Sequence, residues 1–296
     1  MEQLLLHGTP ETMPNSSKVV NVSSVPQLSP FRYPGGKTWL IPSIRKWLGS
    51  FADRPRVLVE PFAGGGIVGL TAAAEHLVEE VVLVEKDEDV AAVWRTALGR
   101  ECEWLARRIE AFDCTREEVI AELATPARSV RERAFQTILK NRTYHGGILA
   151  PGSGLIKGGE NGKGVSSRWY PSTLSRRLRA INTMKGRIKF LEGDAFDALA
   201  DYTTERSAVF FIDPPYTAAG KKAGRRLYRH NELDHHRLFQ VAAALKGDPL
   251  LTYDDAEGVR DLAAGVGFNV EQVAMQNTHL KTMTELVIGR NLDWNR

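Results

Sequence analysis

Val209-Phe210-Phe211-Ile212-Asp213-Pro214-Pro215-Tyr216 is an apolar run of strand type that ends abruptly in a carboxylate, two prolines and an aromatic ring. Phe, Val and Ile without polar interruption suit a strand covered on both faces, as in a parallel sheet flanked by helices. Pro214 has no N–H to donate and stops the ladder, so Asp213 stands at the carboxyl end of the strand. In open α/β sheets ligands bind at that end. Two consecutive prolines fix φ at both positions and present the carboxylate, the carbonyls and the ring with little freedom, as a site accepting hydrogen bonds from a planar amine requires. The same residue types favour turns. On this stretch alone, a strand closing in a Pro-Pro turn, with Asp213 as turn former and Tyr216 as rim packing, stays open.

Upstream, Arg56-Val57-Leu58-Val59-Glu60 reads as another strand, Gly64 to Gly66 as a tight turn and Ile67 to Leu77 as a helix, which is half of a Rossmann-like unit. Gly64, Gly66 and Gly69 satisfy G-x-G-x-x-G, and the next strand, Val81-Val82-Leu83-Val84, ends at Glu85 at the spacing a dinucleotide fingerprint requires. The glycines alone therefore suit NAD as well as any other cofactor that carries adenosine. Pro30 to Lys37 makes a Pro/Gly-rich turn that feeds a helix with apolar residues Leu40, Ile41, Ile44, Trp47 and Leu48 at helical spacing. Gly36-Lys37-Thr38 is not a phosphate loop, because that motif needs a glycine where Phe31 stands.

From Asp87 to Lys140 the pattern is helical, with Thr115 and Ser129 as caps and alternating charges on solvated faces. Asn141 to Gly164 then holds eight glycines, too long a segment for an ordinary connection. Ser172 to Met184 reads as a helix whose Arg176, Arg177 and Arg179 fan across its exposed side. Ile188 to Leu191 is a strand, Leu233 to Leu245 a helix, Leu250 to Tyr253 a strand and Ala256 to Ala264 a helix; Phe268 to Ala274 and Glu285 to Gly289 form a closing antiparallel pair. His235 and His236, adjacent on a helix, point different ways and suggest no metal site.

The 296 residues, 43% hydrophobic and 25% charged, bury a full core and suggest one α/β domain plus an insertion. Leu4-Leu5-Leu6 is too short for a signal or a membrane span and no later run is long enough, so a cytoplasmic protein with no membrane contact is expected. Cys102 and Cys114 form no CxxC and have no His at ligand spacing, so neither a disulfide framework nor a metal site is indicated. The net charge of +3 is uneven: Lys157 to Lys189 carries +8 and Thr217 to Asn231 carries +5, leaving −10 on the rest. Two basic stretches on an acidic body imply a localised polyanion contact. Arg142, Lys157, Arg168, Arg176 and Arg177 in the first region, and Lys221, Lys222, Arg225 and Arg226 in the second, are the candidate phosphate contacts, with Tyr144, His145, Trp169 and Tyr170 as base-stacking surfaces.

Asp213-Pro214-Pro215-Tyr216 after an apolar strand resembles the signature of amino-group DNA methyltransferases. Phe31-Arg32-Tyr33-Pro34-Gly35-Gly36-Lys37 and Glu60-Pro61-Phe62-Ala63-Gly64-Gly65-Gly66 resemble the two S-adenosylmethionine motifs of the Dam-like (D12 class) N6-adenine methylases, with Tyr33 and Pro34 in place of the more usual Trp-Ala. The resemblance implies a class I methyltransferase sheet, Rossmann-like, of seven strands with the last antiparallel. Residues 1–25, rich in Ser, Asn and Pro with no sustained period, read as a flexible arm; the resemblance implies a catalytic domain over 26–98 and 186–296 and an inserted target-recognition domain over 99–185. Tyr33, Gly35, Gly36, Lys37, Pro61, Phe62, Ala63, Gly64, Gly66 and Glu85 would bind the cofactor, with Asp194, Ala195 and Phe196 at its adenine and Asp213 at its reactive end. The partner implied is double-stranded DNA, bound by a monomer. Asp213 and the Pro214 carbonyl would accept hydrogen bonds from the adenine N6 amine, while Tyr216 would stack on the flipped base. A nicotinamide enzyme gives no reason for Asp-Pro-Pro-Tyr or for the localised charge, and cytosine C5 chemistry needs a Pro-Cys thiolate that is missing. N4-cytosine or RNA methylation, an NAD-dependent Rossmann oxidoreductase and a catalytically silent DNA-binding module remain as alternatives.

Overall fold

The computed structural model describes residues 25–32, 35–159, 162–215, 233–276 and 282–295. All but the last residue of the arm expected over 1–25 lies outside these, as do Tyr33, Tyr216 and the second basic stretch with Lys221, Lys222, Arg225 and Arg226.

Seven strands form one sheet: β1 (Val57–Glu60), β2 (Glu80–Glu85), β3 (Ile188–Glu192), β4 (Ala208–Ile212), β5 (Asp248–Asp254), β6 (Asn269–Gln276) and β7 (Thr282–Gly289). Their order is β3-β2-β1-β4-β5-β7-β6. The first five pair in parallel, and β7 is antiparallel to both β5 and β6. This is the class I methyltransferase sheet that the motifs led us to expect. Chain order reverses between β1 and β4, so the crevice for a ligand opens at the carboxyl ends of those two strands.

Side chains alternate across each strand, and both faces are covered. Leu58, Val81, Leu83, Val209, Phe211, Leu250 and Val287 face one apolar cluster, shared with α1 (Ile41–Gly49), α2 (Ile67–Ala74) and α3 (Glu88–Leu98). Val57, Val59, Val82, Val84, Phe210, Ile212, Leu251, Leu286 and Ile288 face the other. The helices on that second side are α8 (Ala195–Asp201), α9 (His235–Ala244) and α10 (Glu257–Gly265). Double coverage is why β1 and β4 read as unbroken apolar runs.

Between α3 and β3 lie α4 (Cys102–Ala111), α5 (Arg116–Ala124), α6 (Val130–Thr143) and α7 (Pro171–Thr183). The Thr115 and Ser129 hydroxyls accept from the Glu118 and Glu132 N–H groups and cap α5 and α6 as expected. Leu105, Ile109, Phe135, Ile138, Leu178 and Ile181 join the same cluster as α3, so these helices share a core with the sheet. Trp169 corrects the expectation of a base-stacking surface. It is buried, with its ring centroid 5.8 Å from that of Phe112 and 6.4 Å from that of Phe135, because α6 needs an aromatic to close that part of the core. Tyr170, next in sequence, is half exposed.

Gly69, on α2, faces the end of β1. A Cβ there would lie 2.7 Å from Glu60 Oε2 and Leu83 Cδ2 and 2.8 Å from Val81 Cγ1, so the helix can approach the sheet only without a side chain. Gly69→Ala is expected to destabilise the protein by about 1–3 kcal/mol through overpacking, whereas Gly258→Ala on the open face of α10 meets nothing and is neutral or slightly stabilising. Chemical denaturation of the two variants checks the contrast.

Candidate active site

The carboxyl ends of β1 to β4 deliver four acids to one cavity of about 800 Å3. Glu60 ends β1 in full burial and accepts from the Gly69 N–H at 2.8 Å; burial pushes its pKa up to about 8, with the nearby Asp213 charge adding to the rise. Glu85 ends β2, with Oε2 accepting from the Gly64 N–H at 3.0 Å and Oε1 from the Asp87 N–H at 2.9 Å. Burial raises Glu85 to about 7 against the pull of those donors. The glycine turn itself is held by Trp94, whose indole N–H donates to the Gly64 carbonyl at 3.0 Å. Gly66 has φ 60°, and a Cβ there would lie 2.8 Å from the Trp94 ring, so only glycine fits the turn into α2.

Beyond β3, Asp194 caps α8 by accepting from the Phe196 N–H at 2.9 Å and pairs with Lys86 at 2.9 Å. Partial burial works to raise its pKa, but Lys86 and that N–H hold it below the ordinary value. The Arg237 guanidinium lies 4.3 Å from the centre of the Phe196 ring.

Asp213 at the tip of β4 is the centre of a network that joins three distant parts of the chain. Thr252 of β5 donates its hydroxyl to Asp213 Oδ1 at 2.8 Å, and Lys37 Nζ lies 3.0 Å from the same oxygen. Lys37, only 3% exposed, also donates to the Gly35 carbonyl at 2.8 Å and lies 3.4 Å from Glu285 Oε2 of β7. Burial alone would lower the lysine pKa, but the Asp213 and Glu285 carboxylates hold it above the ordinary value. Burial raises Glu285 to about 7, opposed by Lys37 and reinforced by Asp213. Tyr253, buried beside these on β5, shares a 3.0 Å hydrogen bond with His235 Nδ1.

The cavity lining also has a basic part. Arg32, Arg142, Arg168 and Arg177 line it, together with Ser29 and the half-exposed Tyr170. Residues 29–32 are strapped to the helices by their own carbonyls: Arg177 donates to Ser29 O at 3.0 Å, Arg142 donates to Pro30 O, and Asn141 Nδ2 donates to Arg32 O at 2.9 Å. Asn141 Oδ1 accepts from the Arg32 N–H at 2.8 Å, while its amide also donates to the Gly147 carbonyl at 2.8 Å. Arg142 is 4% exposed, and its Nε has no partner among the described residues. Burial first, then the like charges of Arg177 and Arg32, lower its pKa to about 9, so it is still charged at neutral pH.

Of the residues singled out in the sequence, Gly35, Gly36, Lys37, Pro61, Phe62, Ala63, Gly64, Gly66 and Glu85 line this cavity, as do Asp194, Ala195, Phe196, Asp213 and Pro215. Pro214 is buried beside them and is not on the wall. Arg142, Arg168 and Arg177 reach the cavity, whereas Arg176 and Lys157 are exposed away from it. Arg179 turns from the solvent-facing fan to pair with Glu103 and Glu110 of α4 at 2.9 and 2.7 Å. Thr252, Glu285 and Asn141 were not singled out. An acid heading the apolar run Leu286-Val287-Ile288 is the one signal that marked Glu285.

A cavity with acids and glycine backbone on its floor, at the switch point of this sheet, fits S-adenosylmethionine. The Gly64–Gly66 turn admits close backbone approach, Glu85 borders the cavity beside it, and the acids suit a cation. Fold and site together define an S-adenosylmethionine-dependent methyltransferase. More particularly, residues 33–278 match the family model for D12 class N6 adenine-specific DNA methyltransferases, and the chain belongs to that family.

Similar solved structures include a Pyrococcus horikoshii protein described as an RNA methyltransferase (13% identity, 88% of this chain and 84% of that one, TM-score 0.38). An rRNA methyltransferase from Streptomyces viridochromogenes matches at 15% identity over 87% of this chain and 86% of that one, with a TM-score of 0.38. The B. subtilis M1A22 tRNA methyltransferase TrmK matches at 8% identity over 85% of this chain, which spans 66% of TrmK, with a TM-score of 0.36. Such low scores carry no argument about substrate, and the fold rests on the strand order itself. No curated protein matches the chain. Among the described residues, no helix is long and apolar enough to cross a membrane.

Asn141→Ala strips partners from the Arg32 N–H and from the Arg32 and Gly147 carbonyls, and is expected to cost about 2–4 kcal/mol in chemical denaturation.

Proposed function

We propose that the protein transfers the methyl group of S-adenosylmethionine to N6 of an adenine flipped out of double-stranded DNA. The observation that carries this reading is the Asp213 carboxylate, held at Oδ1 by Thr252 and Lys37 between an acidic cofactor floor and a wall of four arginines.

S-adenosylmethionine supplies an electrophilic methyl group on a sulfonium. The adenine amine is a poor nucleophile because its lone pair is delocalised into the ring. Asp213 draws hydrogen bonds from the amine and favours a tetrahedral nitrogen whose lone pair aims at the methyl group; the Pro214 carbonyl as second acceptor rests on the motif alone, since Pro214 is off the cavity wall. Positive charge grows on N6 as the new bond forms, and the carboxylate faces that charge. The amine proton is shed to water after transfer. Glu85 accepts from the ribose hydroxyls, Asp194 accepts from the adenine amine of the cofactor, and Phe196 packs on its ring. On the other wall Arg168 and Arg177 meet phosphates, and Tyr170 offers a ring to a base that has left the stack. The roles of Tyr33 and Tyr216 follow from the motifs. The helices over 99–185 hold this wall in place and act as the recognition region.

Incubation with labelled S-adenosylmethionine and plasmid DNA, then digestion to nucleosides, tests the reading: N6-methyl-2′-deoxyadenosine is expected. Label in N4-methylcytosine, or in RNA alone, overturns it. Asp213→Ala should lower the rate at least about 100-fold while DNA affinity, set by phosphate contacts, holds.

Glu85 gives a pH signature. Its ionised form accepts from both ribose hydroxyls, and burial places its pKa at about 7. Cofactor affinity is therefore expected to be full above neutrality and to fall as pH drops through 7, with the dependence lost in Glu85→Gln. Calorimetric titration on both sides of neutrality checks this; equal affinity throughout, or tight NAD binding, argues against the assignment.

A further inference from the structure

A lysine that pinned Asp213 by itself would also neutralise it. The pair would carry no net charge, and its pull on an amine becoming positive would be weak. The geometry avoids this. Lys37 Nζ, 3.0 Å from Asp213 Oδ1, lies also 3.4 Å from Glu285 Oε2, and both Lys37 and Glu285 are 3% exposed. With Glu285 ionised, two carboxylates and one ammonium leave a net charge of −1, with Asp213 and Lys37 on the cavity wall and Glu285 behind them.

We propose that Glu285 is a positioning residue for methyl transfer: through Lys37 it fixes Asp213 Oδ1 and returns to Asp213 the negative charge that the lysine would cancel. This rests on Asp213 as the acceptor for the target amine. It also gives Lys37 a role other than holding the cofactor, since its ammonium is engaged by the chain's own carboxylates and by the Gly35 carbonyl. β7, the strand that runs against the rest, thereby contributes to the chemistry. Among the described residues, the charged groups that face Glu285 include Lys37 from the turn before α1, Asp213 from β4 and Asp254 from β5. Burial, with Asp213 and Asp254, raises Glu285 to about 7 while Lys37 opposes, so its charge develops as pH rises through neutrality and the rate should rise with it.

Single-turnover methyl transfer and equilibrium cofactor binding, measured for Glu285→Gln, Lys37→Met and the double variant, form the test. Glu285→Gln is expected to be about 10-fold slower above neutral pH and to lose the rise of rate through pH 7. Its cofactor affinity should stay within about twofold. Lys37→Met sets two buried carboxylates against each other and should be slower still; the double variant, which removes that repulsion, should be faster than Lys37→Met. A double variant no faster than Lys37→Met overturns the proposal, as does a Glu285→Gln that turns over like wild type or whose rate loss is matched by lost cofactor affinity. Should Glu285→Gln fail to fold, Glu285→Asp keeps the charge and is expected to keep the pH-dependent rise; a flat profile overturns the proposal. Carbon-13 NMR of the Glu285 carboxyl needs no turnover: its midpoint should move up in Lys37→Met, and an unmoved midpoint rejects the coupling. Wild type that makes no N6-methyladenine refutes the assigned activity, and the NMR midpoint then decides the coupling by itself.

Discussion

Burial of an ammonium is costly unless carboxylates meet it, and Lys37 is met by two. One comes from the tip of β4 and the other from β7, so the turn carrying Gly35 to Lys37 has a single place where its lysine is satisfied. Much of the site follows from that placement. Gly35 and Gly36 are brought to the cavity wall, α1 is started against the sheet, and Asp213 is fixed at the same oxygen that accepts from Thr252. Removing Glu285 would leave Lys37 and Asp213 as a neutral pair, and removing Lys37 would leave two carboxylates set against each other.

The second constraint is mechanical. Residues 29–32 run without regular structure, and their carbonyls need donors wherever they are covered. Asn141, Arg142 and Arg177, near the end of α6 and on α7, supply them. Gly147 is part of the same joint, since a Cβ there would lie 2.5 Å from the Arg32 carbonyl. The long helical segment between α3 and β3 is therefore tied to the segment that leads into Lys37.

What was legible in the chain and what was not follow the reach of each interaction. Strand β4, its acidic tip and the caps at Thr115 and Ser129 depend on neighbours within a few residues, and each stands where its local pattern put it. The antiparallel closing pair was legible as two strands, but not the insertion of β7 between β5 and β6. That insertion pairs Glu285 with Asp254 and Val287 with Thr252, which brings Glu285 to Lys37. Asn141 looked like any polar residue at a helix end, and its partners are more than a hundred residues upstream or across a glycine turn. Trp169 failed for the converse reason: neighbouring aromatics, one buried and one half exposed, have the same appearance in sequence, and only the packing against Phe112 and Phe135 separates them.

The glycine pattern shows why a motif shared by two cofactor classes could not decide between them. Gly64 and Gly66 shape the turn through their backbone, and Glu85 holds the Gly64 N–H, which any adenosine-binding site of this kind needs. Gly69 does something more particular here. The space its missing side chain leaves is taken by the Glu60 carboxyl, which accepts from the Gly69 N–H and is kept above its ordinary pKa by burial and by Asp213. The first acid of the site is thus stored under α2 by the third glycine, within the electrostatic reach of the Asp-Pro-Pro tip. A dinucleotide enzyme has no need for that link between the glycine turn and the fourth strand. Here the two motifs are coupled: the Asp213 charge adds to the burial that keeps the Glu60 carboxyl largely protonated at neutral pH.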